Sequence, residues 1–422
     1  MSGSDDPDKT IGDTNMRWTR RDARTANEGM KICNLTGPGL SSRFGVGAAD
    51  LGAMVEAPNG DIVAVFGDTW RDALVGSSDW RSPVVLIGSR EAGGPVVWHR
   101  AGGPDPGYAR QLWPYIHDSP PWKHGGFSTV IPSDLLRVGN DLYLHAMVIR
   151  GFPAVAWTEI WRSADNGVTW GHMGAGAAFA ADLHDGLAQS WTWDFDPDDG
   201  WVYVISTAFQ SGSGMILRRV RPDGIGDRSA YIGWGYRDGA WAWGNPPTVI
   251  TPDGETWRET TFRRIGVGQQ ANWILGGFCI SDSGLSYRVL ASPTDNVHRR
   301  VKTTPIAEIH DWRREDHAGG RVGQAYGGYI IPGSTLDDAH GVHLAVSQWN
   351  TRTNWPYRVM QFATTLSSVS VTPNSSVLAQ RIPDWLATLE AHRGVAGTAG
   401  EKLDAARMAL DALQRALEGR SW

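Results

Sequence analysis

Five short runs of β-forming residues, each following a tight turn and set 60 to 80 residues apart, predict an all-β chain folded as a five-bladed β-propeller. The runs begin near residues 61, 141, 201, 271 and 342 and read, for example, Ile62-Val63-Ala64-Val65-Phe66 and Trp201-Val202-Tyr203-Val204-Ile205. Each is apolar on both faces, as a strand sandwiched between neighbouring blades must be. Composition agrees, because 52 Gly, 23 Pro and 22 Trp in 422 residues favour many strands and tight turns over a helical body.

Three segments follow from this pattern. Residues 1–30 are charged and poor in apolar side chains, and read as an N-terminal arm. Residues 31–380 hold the propeller. Residues 381–422 read as a short helical, coiled-coil-like tail: Thr398 and Glu401 form a capping box, and Leu403, Leu410 and Leu417 recur every seven residues with Ala406 and Leu413 between them. A seam of that kind after a Gly-rich hinge predicts a homo-oligomer, trimer or dimer.

The first hairpin carries the chemistry. Pro58-Asn59-Gly60 suits a three-residue loop with Gly60 left-handed, so Ala57 pairs with Asp61, and counting back places Asp50 opposite Asp68 on one face. Directly opposed carboxylates destabilise a purely structural sheet. In a shared cleft, one of the two holds its proton to higher pH, the condition for dividing acid and base roles. Residues at the start of each innermost strand see the mouth of the central funnel. This adds Glu259 as a third acid and Ser128, Gln189, Trp191, Trp193 and Tyr326 as sugar-binding candidates. Trp70, Gln348 and Trp349 complete the predicted set. Rings to stack on, amides to hold hydroxyls and paired carboxyls to break an acetal are what a polysaccharide cleft requires.

Ser163-Ala164-Asp165-Asn166-Gly167-Val168-Thr169-Trp170 fits the Asp-box, a turn on the outer edge of propeller blades in sialidases and their relatives. Its Asp and Ser are expected to bond the turn's own backbone, so Asp165 is not placed in the site. A sialidase reading also lacks a set of three arginines for a substrate carboxylate.

The formal charge of −6, with no basic stripe, argues against nucleic acid as partner. No stretch approaches a membrane span, and no Cys or His spacing resembles a metal site, so no cofactor is expected. Cys33 and Cys279 could be bridged or free.

The segments Ala49-Asp50-Leu51-Gly52, Phe66-Gly67-Asp68-Thr69-Trp70, Tyr326-Gly327-Gly328-Tyr329-Ile330-Ile331-Pro332 and Ser347-Gln348-Trp349, with Tyr357-Arg358-Val359-Met360, resemble glycoside hydrolase family 183. That family was first catalogued as a domain of unknown function in actinobacteria and their phages, and the likeness spans roughly Cys33 to Thr365. The resemblance implies a five-bladed propeller with endo-D-arabinanase activity on the arabinan of mycobacterial arabinogalactan and lipoarabinomannan, and places the family's two essential aspartates at Asp50 and Asp68. The N-terminus shows no apolar leader. For an envelope-cutting enzyme made in the host cytoplasm, this leads to the expectation of a phage minor tail protein, carried in the virion with other tail proteins and released at the cell envelope. The competing expectation is a receptor-binding propeller that grips arabinan without cutting it.

Overall fold

A computed structural model describes residues 29–115, 117 and 126–370; the predicted helical tail, nearly all of the arm and His124 lie outside the described residues. The chain enters as β1 (Met30–Asn34). It then builds blade I from β2 (Ala48–Glu56), β3 (Ile62–Trp70), β4 (Val84–Arg90) and β5 (Val96–Ala101), paired in that order. Blade II consists of β6 (Thr129–Val138), β7 (Asp141–Ile149) and β8 (Val155–Ser163), with the short β9 (Gly171–His172) and β10 (Ala178–Ala180) both on β8. Blade III follows as β11 (Ser190–Asp196), β12 (Trp201–Thr207), β13 (Ile216–Val220), β14 (Ile232–Arg237) and β15 (Ala240–Trp243). Blade IV is β16 (Trp257–Ile265), β17 (Asn272–Cys279), β18 (Gly284–Leu290), β19 (Thr303–Ile309) and β20 (Arg321–Gly323). Blade V comprises β21 (Ala325–Ile330), β22 (Val342–Trp349) and β23 (Tyr357–Thr364), and β1 closes the ring as its outermost strand.

The five runs read from the sequence are thus the second strands of the five blades, and the propeller expectation holds. Each innermost strand, β2, β6, β11, β16 and β21, lies against that of the next blade, so the ring closes around a central axis. The core is distributed between blades rather than pooled: one cluster of buried side chains joins blades II and III, another III and IV, another IV and V.

On the axis, one buried ion pair ties four of the five inner strands. Arg263 of β16 donates from Nη1 to Asp134 Oδ2 at 2.7 Å and from Nη2 to Asp134 Oδ1 at 2.5 Å, and also to the carbonyls of Trp193 and Met54. Asp134 of β6 further accepts from Thr192 Oγ1 and the Trp193 N–H of β11. Such a network is stabilising only when every member is satisfied.

The Asp-box behaves as expected. Asp165 accepts from Ser163 Oγ, Thr169 Oγ1 and the Thr169 N–H, and Trp170 Nε1 donates to the Gly167 carbonyl, all within the turn between β8 and β9. Cys33 and Cys279 are both free thiols.

Candidate active site

The hairpin that carries both aspartates closes as its residues dictate: the Ala57 N–H donates to the Asp61 carbonyl at 2.8 Å, and Gly60 sits at φ 86°. The register follows the predicted count from Glu56–Ile62 up to Ala53–Val65 and again at Ala49–Thr69, but breaks between Ala49 and Ala53, where Leu51 pairs with Phe66. Asp50 therefore sits in a bulge rather than in a regular cross-strand pair. Leu51 is held at φ 63°, a left-handed conformation that costs a bulky residue of order 1–3 kcal/mol and persists only where its surroundings enforce it. Ser347 of blade V supplies the enforcement, accepting from the Leu51 N–H at 2.8 Å and donating to its carbonyl at 3.3 Å. On β3, Gly67 leaves room for the acid, since a Cβ there would stand 2.5 Å from Asp50 Oδ1.

The two carboxyls open on a cavity of about 530 Å³ at one mouth of the central axis. Asp50 Oδ2 accepts from Tyr326 Oη at 3.0 Å and the Tyr357 hydroxyl also donates to this carboxyl, whose Oδ1 is buried. Asp68 accepts from Thr129 Oγ1 at 3.1 Å and from the Trp80 indole. Burial first, then the Asp68 charge, pushes the Asp50 carboxyl up to about 8 despite the two tyrosine donors; burial pushes Asp68 up to about 6 against its two hydrogen bonds. The pair titrates as a unit and holds one proton at neutral pH. Glu259, on the same cavity, is also raised by burial, and its Oε2 has no partner.

Raised carboxyl pKa values carry a sign for stability. The unfolded chain releases these protons near pH 4, the folded chain only near 6 to 8, so stability is fully present below pH 4 and declines as pH rises through the folded values. Asp50→Asn is accordingly expected to raise the melting temperature at pH 8 by roughly 2–6 °C and to leave it nearly unchanged at pH 4.5, as thermal scans would read.

Of the predicted site residues, Asp50, Asp68, Glu259, Tyr326 and Trp349 line the cavity. The others do not. Trp191 and Trp193 are fully buried between blades II and III, with the His145 ring stacked on Trp191 at 4.1 Å. Gln189 is spent on backbone, donating to the Ala181 carbonyl and accepting from the Phe209 N–H. Ser128 donates to the Ile149 carbonyl, and it is its neighbour Thr129 that reaches Asp68. Trp70 is buried edge-on against Tyr357 at 5.2 Å, one layer behind the site, and Gln348 is buried between Glu315 and Arg358.

A backbone rule separates the two groups. Four inner strands carry a register irregularity: β2 at Asp50–Gly52, β6 between Pro132 and Asp134, β16 between Trp257 and Thr260, and β21 between Gly327 and Tyr329. Bulges re-aim the side chains at or beside them, and these strands bring Asp50, Asp134, Glu259 and Tyr326 to the axis or the cavity. β11 pairs without interruption from Ser190 to Asp196, and its tryptophans point into the neighbouring blade. Blade III reaches the cavity through the loop after β12, with Phe209 and Gln210, and blade II lines it with Thr129 and Ile131 of β6 and with Phe152 of the loop after β7. Sequence reasoning missed Ile131, Phe152, Phe209, Gln210 and Glu308; Thr129 and Arg258 fell in the rim stretches it read at the start of β6 and β16, and Tyr357 in a segment of the family resemblance, without a role of their own. The signal for Thr129 was its adjacency to Ser128 at the start of the strand; the loop phenylalanines gave none.

The chain has relatives in sequence and in fold. The family model described as Domain of unknown function (DUF4185) matches residues 36–363. An uncharacterized 35.9 kDa protein in the asd 3' region of Mycolicibacterium smegmatis is 27% identical over 349 residues, covering 76% of this chain and 93% of the relative. Notoamide biosynthesis cluster protein J' of Aspergillus versicolor is 28% identical over 329 residues, covering 73% and 83%. Among solved structures, a suggested hydrolase from Bacteroides ovatus superposes with a TM-score of 0.52 at 12% identity, over 77% of this chain and 87% of that one, a likeness of fold.

Proposed function

The chain belongs to the DUF4185 family, and we propose from its site that it is a glycoside hydrolase that cleaves within arabinan chains, with Asp50 as general acid and Asp68 as the ionised partner. The observation that carries the reading is two buried acids, Asp50 and Asp68, lining one cavity walled by aromatic rings, with burial pushing both carboxyls above the ordinary carboxylate range. A carbohydrate-gripping surface has no use for that arrangement, since hydroxyls are held as well by amides. In the proposed reaction the proton on Asp50 passes to the glycosidic oxygen as its bond to the anomeric carbon breaks. Asp68 supports the developing positive charge, as nucleophile or as base for an attacking water. Tyr326 and Tyr357 then stabilise Asp50 as it becomes an anion, because both hydroxyls donate to it. The resemblance to glycoside hydrolase family 183 supports D-arabinan as substrate. Incubation with mycobacterial arabinogalactan is expected to release arabino-oligosaccharides; retention of the intact polymer overturns the reading and leaves the binding propeller.

Ser347 acts through Leu51 rather than on substrate. Ser347→Ala is expected to lower turnover about tenfold with little change in KM, because Asp50 loses the enforced bulge that aims it. Steady-state kinetics on the released sugars checks this, and Ser347→Thr should recover part of the rate. Carriage on a phage tail belongs to the same proposal through the family resemblance, and proteomics of purified virions tests it.

A further inference from the structure

Phe152 is the most exposed aromatic side chain among the described residues, at 62%, and it stands at the cavity rather than on a remote face. Its one ring contact among the described residues is T-shaped, with Phe209 at 5.7 Å and 89°, and the Phe152 ring is otherwise largely open to solvent. Phe209 is fixed from behind, since its N–H donates to Gln189 Oε1 at 2.9 Å and Gln189 Nε2 is anchored on the Ala181 carbonyl. The pair is thus a supported platform. In the ring order, blades II and III, which supply it, lie across the axis from blade V, which carries Tyr326, Tyr357 and Trp349, while blade I with Asp50 adjoins blade II. Trp349 forms an aromatic surface on that second side, edge-on to Tyr357 at 5.7 Å, with an indole N–H that has no protein partner.

We propose that the Phe152–Phe209 pair is a sugar-stacking subsite across the cavity from Trp349, so that a glycan chain is held on both sides of the bond presented to Asp50 and Asp68. This inference rests on the carbohydrate reading of the cavity and deepens it. Flat apolar ring faces fit the C–H faces of sugar rings, and an exposed aromatic surface continuous with a polar cavity is where such a chain would lie. Two-sided binding favours attack inside a chain over trimming from its end.

Arabino-oligosaccharides of increasing length are the probe, titrated calorimetrically into the Asp50→Asn/Asp68→Asn protein and used as substrates for the otherwise wild-type enzyme. Phe152→Ala is expected to weaken binding of the longer oligosaccharides roughly three- to tenfold and to raise their KM by the same factor at unchanged kcat, with the shortest unaffected. Phe152→Tyr should restore affinity, and an unchanged melting temperature shows that the exposed ring was not needed for folding. Equal binding of long oligosaccharides by wild type and Phe152→Ala overturns the subsite. Length-dependent, Phe152-dependent binding without any product from wild type keeps the subsite and removes the hydrolase. No binding at any length removes the subsite.

Discussion

Asp50→Asn and Asp68→Asn are each expected to cut arabinan turnover by roughly 10²–10⁴-fold, the range over which a positioned acid or base contributes. The two variants should fail differently. An amide at position 50 cannot hand a proton to the leaving oxygen, so its deficit should shrink on substrates with good leaving groups. An amide at position 68 removes the anion that supports the developing cation, and its deficit should persist on every substrate. In the wild type, activity should rise as the pair loses its first proton near pH 6 and fall as it loses its second near pH 8, giving a bell centred close to neutrality. Asp68→Asn also removes the charge that helps lift Asp50, so any residual activity should show its alkaline limb moved to lower pH. Initial rates of reducing-end release across pH 4–10 read all of this; wild-type rates in both variants would refute the assignment.

Asp134→Ala is expected to destabilise the propeller by about 3–5 kcal/mol, because it removes the carboxylate that Arg263 is bonded to on the axis and leaves a buried guanidinium with Asp194 as the nearby anion that remains. At about 2–4 °C per kcal/mol, the loss should appear as a melting-temperature drop of roughly 6–20 °C. The effect reaches beyond one contact. Thr192 Oγ1 donates to Asp134 and accepts the Phe262 N–H, so the alanine also loosens the join between β11 and β16. Arg263→Met, which removes the charge instead of stranding it, should cost less when paired with Asp134→Leu than either change alone. Chemical denaturation of these four variants distinguishes a stranded charge from lost packing.

The hairpin of blade I shows how far local rules extend. Pro58, Asn59 and Gly60 determine the loop, the loop determines the register of its own strands, and the register brings Asp50 near Asp68. Turn geometry and strand periodicity act over a few residues, so they can be read from neighbours in the chain. The same logic located the second strand of every blade and explained the Asp-box turn. It failed at Trp191 and Trp193 because the unbroken β11 strand packs both rings between blades, and spacing along the chain does not record which inner strands carry the bulges that re-aim side chains.

By itself, the sequence determined the all-β repeat, the turns that launch its strands and the acid pair at the head of the first hairpin. Tertiary structure alone decided which side chains meet in the cavity. Ser347 reaches Leu51 across 296 residues, Tyr326 and Tyr357 arrive from blade V, and Phe152 and Phe209 from loops of blades II and III. Those meetings depend on five blades closing into a ring, and the closing is done by interblade packing and by β1 pairing with β23. Packing joins residues by shape and distance in space, which spacing along the chain does not record.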